Sequence, residues 1–203
     1  MSVLDGASDP DNIEFVVYRD NDDDSVYEYI GNRKEVVGDR ILQSAMYNEC
    51  YKVAKGPIYM FAADDIVFNT KDWDKYVINA FENSADKIIF AYPNDENYRA
   101  RFGTTGFLHK NWIDTVGYFL PPYFAAQRAD NWINAIAWRI NRQVFLEPVV
   151  IRQDWINDDK THIEYNEREI KYNSKGIYFS KEKKIERERD AQLLLKFIDN
   201  YGT

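Results

Sequence analysis

Two rhythms alternate along the chain. Short, nearly unbroken apolar runs recur at Ile13–Tyr18, Ile58–Ala63 and Lys87–Tyr92. Turn residues bound each of them, and such runs predict buried strands. Between them, apolar residues fall three or four apart. Leu42, Ala45, Met46, Cys50 and Val53 share one side of a helix that Asp39 can cap and Gly56-Pro57 ends. Trp73, Val77 and Phe81 share one side of a second, capped by Asn69 or Thr70 and running to about Asn83. Trp132, Ile133, Ile136, Ala137 and Ile140 do the same in Asp130–Asn141.

Shorter signals fill the gaps. Met1–Asn12 reads as the tail of a helix and a turn broken at Asp9-Pro10-Asp11. A second strand lies near Val36-Val37. A further short strand falls within Gly103–Lys110, after a loop at Asn94–Arg101. A helical turn over Asn111–Val116 stops at Gly117. Val144–Gln153 predicts a strand that Pro148 makes an edge or a bend. Lys183–Tyr201 predicts a charged helix that docks through Leu193, Leu194 and Phe197. Strands alternating with helices predict an α/β fold with a mainly parallel sheet and right-handed crossovers. The division expected is a domain over residues 1–155, with 156–203 as a polar segment and charged helical tail packed on it.

With 203 residues, 45% apolar and 16% aromatic, the chain can bury a real core. A net charge of −8 with no basic stripe argues against a general nucleic-acid binder. The alternating charges from Lys181 onward predict a solvated helix face. Cys50, the single cysteine, falls on the apolar side of its helix and excludes an internal disulfide. No apolar run approaches the roughly 20 residues that span a bilayer, and the first residues lack a signal-like pattern. A cytoplasmic protein without a transmembrane segment is the expectation.

The acids carry the chemistry. Asp64-Asp65 ends the apolar run Ile58–Ala63, and Ile13–Tyr18 runs into Asp20, Asp22, Asp23 and Asp24. Two strands that both end in carboxylates point to one crevice, where ligands of open α/β sheets gather. Hard divalent cations take such oxygens. The plain alternatives are a turn pair or helix cap at Asp64-Asp65 and a solvated turn at Asp20. Asp130 opens a helix, either as its N-cap or as a general base, and the roles are compatible. His162, in a polar stretch, either completes a metal shell or is simply solvated. His109, at a strand end, has less to recommend it. The hydrolase serine elbow, the phosphate-cradling glycine loop, the His-Glu-x-x-His zinc motif and the dinucleotide fingerprint are missing.

In their order these elements resemble the family-two-like glycosyltransferases of the GT-A fold. Asn12–Ser25 looks like that family's second strand and acidic, serine-containing turn. Gly56–Ile66 looks like the strand bearing the Asp-x-Asp metal motif. Gly106–Lys110 and Val116–Pro121 resemble the acceptor-side strand and the segment after it, and Asp130-Asn-Trp132 the element holding the catalytic base. The resemblance implies a Rossmann-like sheet, a nucleotide-diphosphate-sugar donor, an acceptor hydroxyl, a bound Mn²⁺ or Mg²⁺, and inversion at the anomeric carbon. It implies that Asp65 ligates the metal beside Asp64, that Asp20 or Asp22 contacts the nucleoside, that Asp130 deprotonates the acceptor and that His162 adds a metal ligand. Two departures stand out. The leading acid of a strict Asp-x-Asp is Ala62, and the family's central first strand is not recognisable ahead of Ile13. Without that strand the sheet has an open slot, closed by rearrangement or by pairing with another chain as a homo-oligomer, and nucleotide binding is expected to be weak. A binding or assembly module of the same fold, and another metal-dependent phosphoester enzyme, are the alternatives.

Overall fold

The computed structural model describes residues 2–24, 31–63, 65–125, 127–153 and 159–201. Its strands are β1 (Glu14–Asp20), β2 (Asn32–Gly38), β3 (Ile58–Phe61), β4 (Ile66–Phe68), β5 (Phe90–Asn94), β6 (Gly106–His109) and β7 (Gln143–Gln153). Its helices are α1 (Ser2–Asp5), α2 (Gln43–Val53), α3 (Trp73–Glu82), α4 (Lys110–Val116), α5 (Ala129–Arg139), α6 (Asp159–Tyr172), α7 (Ser174–Phe179) and α8 (Lys181–Asn200).

The α/β class is as expected, but the sheet is mixed rather than mainly parallel. β1 and β2 form a parallel pair of their own. The other five strands are ordered β3-β6-β5-β7-β4, and only β5 and β7 run parallel among neighbours. Antiparallel neighbours arise because β6 enters between β3 and β5, and the short β4 returns against the end of β7. The expected strand over Ile58–Ala63 stops two residues early, at Phe61, and a short strand that was not expected, β4, opens at Ile66. Pro148 makes a bend, not an edge. Register against β5 jumps from Pro93↔Leu146 to Asn94↔Val150, and β7 lies inside the sheet.

Two apolar layers sandwich the larger sheet. One gathers Phe61, Phe90, Tyr92 and Leu108 with Trp112 and Ile113 of α4, Trp132, Ile133 and Ile136 of α5, and Leu194 of α8. The other gathers Ile89, Ala91, Phe107 and Val149 with Trp73, Val77 and Phe81 of α3. The helical spacing of these residues is thus realised as burial. Gly117 ends α4 in the left-handed conformation that glycine adopts without penalty.

The expected caps differ. Asp39 accepts from Asn21 (2.7 Å) instead of capping α2, whose N-cap is Leu42. Asp72, not Asn69 or Thr70, precedes α3, and Thr70 instead donates to Pro148 O (2.8 Å). Arg128, not Asp130, is the N-cap of α5. Hydrogen bonds to distant segments engage the Asp39 and Thr70 side chains instead.

The charged helix α8 is not simply a solvated face. Leu194 is buried and Phe197 partly so, but Leu193 is exposed. Asp190 is fully buried, accepting from the Tyr118 hydroxyl and from Arg189 (2.9 Å). Lys183 lies 3.6 Å above the Tyr123 ring, and Arg187 4.0 Å above Tyr178. Among the described residues, no helix is long and apolar enough to cross a membrane.

Candidate functional site

Helix α2 gathers the strand ends. It follows β2 and runs back across β1 and β2. Its last turn lies at their starts, where Lys34 donates to Val53 O (2.6 Å) and pairs with Glu14 (2.6 Å). The Lys55 N–H donates to Glu14 (2.7 Å), which sets the starts of β1 and β3 side by side. Its first half meets the opposite end, where the Tyr47 hydroxyl donates to Ala62 O (2.6 Å), just past β3. The aspartate-bearing ends of β1 and β3 therefore lie at one end of the molecule.

Helix α5 is tied to that same end. The Thr105 hydroxyl donates to Phe61 O, the last residue of β3. Two residues earlier, Gly103 is clamped by Asn134, which accepts its N–H (3.0 Å) and donates to its C=O (2.8 Å). Asn134 also donates to Asp130 O (2.9 Å). Ser44, opening α2, exchanges hydrogen bonds with Phe124, shortly before α5 (2.8 and 3.2 Å). Asp95 accepts from Tyr98 N–H (2.8 Å), Arg99 N–H (3.1 Å) and Thr104 (3.1 Å), folding the loop that precedes Gly103.

Each predicted acid has its own setting. One Asp20 oxygen accepts from Arg40 (2.7 Å), and the other is buried without a hydrogen-bond partner among the described residues. Asp22 is exposed and stands 3.8 Å from Arg40. Asp65, half-buried at the entry to β4, accepts from the Gln153 carboxamide (3.2 Å). Asp130 accepts from Asn131 N–H (2.7 Å). Burial holds its carboxyl above the ordinary range, and the Asn131 N–H and Arg128 charge pull back only in part. A carboxyl so placed takes a proton more readily than a solvated one, as a general base requires.

Asp64 lies outside the described residues. His162 falls in α6 rather than a loop, but its side chain is likewise outside them. Among the described residues, no three His, Cys, Asp or Glu side chains are grouped to hold a metal. His109 is structural: its Nδ1 accepts from Asn111 N–H (3.1 Å) at the start of α4, and burial lowers its pKa. Cys50 is half-buried, and burial pushes its thiol up to about 11, away from the thiolate that a nucleophile needs.

Sequence reasoning missed Arg40, Thr105, Asn134 and Asp95. Asn134 had a readable signal, a polar residue within the buried face of α5 and one turn beyond Asp130. Arg40, Thr105 and Asp95 carried none, since their partners are distant in sequence or local to a loop. The sequence matches no protein-family model and no curated protein.

Proposed function

We propose that this chain is a GT-A-like glycosyltransferase domain. It would transfer a sugar from a nucleotide-diphosphate sugar, probed first as UDP, to an acceptor hydroxyl with inversion. The observation that carries the reading is the placement of Asp130. The backbone carbonyl of Asp130, whose carboxyl has a raised pKa, is tied through Asn134, Gly103 and Thr105 to the end of the strand that leads to Asp64-Asp65. In this reading the acceptor oxygen attacks the anomeric carbon as the bond to the diphosphate breaks. Asp130 takes the acceptor's proton, and the bonding pair leaves with the diphosphate. Asp20 and Asp22 face the nucleoside. Asp65, Asp64 and His162 would hold Mn²⁺ or Mg²⁺, which when bound would supply positive charge to offset that growing on the leaving group.

Titration calorimetry of UDP with and without Mn²⁺ tests the reading. Metal-dependent binding that Asp65→Ala abolishes is expected. Asp130→Asn is expected to keep that binding while losing turnover by about 10²–10⁴-fold, the usual share of a general base. Absence of UDP binding under all conditions overturns the reading.

Arg40 favours a second reading. It already occupies the Asp20 carboxylate that a nucleoside would use, as befits a binding or assembly module without turnover. UDP binding that Arg40→Ala fails to strengthen would count against that module.

A further inference from the structure

The first turn of α5, which carries Asp130, is held against its own preference. Its N-cap, Arg128, has φ 82°, in the left-handed region that residues other than glycine rarely enter, where an N-cap is ordinarily extended. The Arg128 Nε is buried without a hydrogen-bond partner among the described residues. Backbone strain of this kind persists only where the surroundings impose it. One hold is the clamp of Asn134 on Gly103. Asn134 lies one turn beyond Asp130, on the same side of the helix, and donates to Asp130 O (2.9 Å).

The other hold lies across the helix. Trp132 stands two positions beyond Asp130, about 200° around the axis, and is wholly buried. Its backbone N–H closes the turn on Arg128 O (3.0 Å). Its Nε1 donates to the Tyr118 hydroxyl (2.9 Å), which in turn donates to the buried Asp190 of α8. The other Asp190 oxygen accepts from Arg189 (2.9 Å). Arg187, at i−3 from Asp190 and so on the same side of α8, lies 4.9 Å from the Trp132 ring. Two polar residues of α8 thus grip one tryptophan, by its edge and by its face. An apolar residue in place of Asp190 would avoid the cost of a buried charge. It would also let the Trp132 ring slide, whereas a satisfied hydrogen-bond network fixes one position.

We propose that Asp190 is a positioning residue: through Tyr118 and Trp132 it sets the rotation of the first turn of α5, and with it the direction of the Asp130 carboxyl. Asn134 anchors one side of the helix and Trp132 the other, so the turn between them has no free rotation. The carboxyl is thereby kept in its half-buried place, accepting from Asn131 N–H (2.7 Å). That this serves a proton acceptor rests on the glycosyltransferase reading; the geometric link itself does not.

A ¹³C NMR titration of the Asp130 carboxyl, recorded without substrate and assigned by its loss in Asp130→Asn, tests the link. Asp190→Ala and Tyr118→Phe each break it, and in both the Asp130 midpoint is expected to fall toward that of a free aspartate, about 3.9. Asp190→Asn removes the same charge but keeps an oxygen for the Tyr118 hydroxyl, and should leave the midpoint in place. Val77→Ala, which loosens the other apolar layer, should not move it. Tyr118→Phe keeps the ring and serves where Asp190→Ala does not fold. A midpoint unmoved in either link-breaking variant, an equal fall in Asp190→Asn, or an equal fall in Val77→Ala would each overturn the proposal. Under the glycosyltransferase reading, Asp190→Ala should also lower kcat by about 10²-fold at an unchanged donor KM, as a displaced base does. Absence of UDP binding overturns that reading alone, since the carboxyl titration needs no donor.

Discussion

β1 and β5 are both apolar runs flanked by turns, yet Phe90 and Ala91 of β5 are wholly buried while every residue of β1 stays partly exposed. Their composition does not explain the difference; their neighbours do. β5 has a strand on each side and an apolar layer on each face. β1 has β2 on one side and α2 across it, and its other edge is not paired with β3. An apolar strand thus carries a capacity for burial, and the number of partners decides how much of it is realised. Parallel strands are usually covered on both faces, which makes the β1–β2 pair the weaker of the two regions. The same contrast appears in the acids. Asp190 is sealed between α8 and Tyr118, whereas Asp20 is held by the exposed Arg40.

The largest test compares one side chain from each strand. Phe90 packs against Phe61 and Tyr92, with ring centroids 6.0 and 5.3 Å away. Phe90→Ala is expected to cost about 3–5 kcal/mol in urea unfolding. Val17→Ala in β1 should cost about 1 kcal/mol, because its site is already part-solvated. Equal losses would mean that β1 is as deeply packed as β5.

A smaller effect separates the two carboxylates. Asp190→Ala leaves the Tyr118 hydroxyl and Trp132 Nε1, which donates to that hydroxyl (2.9 Å), without their anchor. A loss of about 2–3 kcal/mol is expected. Asp20→Ala should stay within about 1 kcal/mol, as for other solvent-screened pairs. Thermal unfolding of the two variants side by side checks the ranking.

A third test concerns the strap between the regions, whose loss is smaller than that of Phe90 or Asp190. The segment ahead of β1 is fastened to α3 by Asp74, which accepts from the Ser8 hydroxyl (2.6 Å) and from the N–H groups of Ser8 (2.7 Å) and Asp9 (3.1 Å). Burial works to raise the Asp74 carboxyl, but these bonds outweigh it and hold its pKa below the ordinary value. A depressed pKa contributes stability above the unfolded value, about 3.9 for a free aspartate. That contribution fades as the pH falls through the folded value. Asp74→Asn should lower stability at pH 7 by about 1–2 kcal/mol and flatten its fall below pH about 4. An unchanged acid limb would show that Asp74 does not carry the response to acid.

Two helices, α3 and α5, were the legible part of the fold. Trp73, Val77 and Phe81 of α3, and Trp132, Ile133 and Ile136 of α5, reached the core as their spacing predicts. The acids of the candidate site were also legible as residues, because carboxylates at the ends of apolar runs stand out against their surroundings. Their settings were not. That Arg40 pairs with Asp20, that Asn134 clamps Gly103 and that Asp130 sits second in α5 behind an Arg128 cap all depend on chain segments meeting in space.

By itself, the sequence determined roughly where most strands and the helices α2, α3, α5 and α8 form, which faces of α3 and α5 are buried, and which acids follow apolar runs; it did not reveal α6 and α7, nor that α2 turns Ser44, Tyr47 and Tyr51 to the core. The features it determined depend on contacts between residues a few positions apart, which periodicity and turn chemistry record directly. Only the tertiary structure decided that β6 runs between β3 and β5, that β1 and β2 stand as a sheet apart, and that Asp190 of a charged helix is buried. Strand order and the burial of a charge are settled by which distant segments compete for the same hydrogen bonds and the same apolar surface, and no local pattern carries that information.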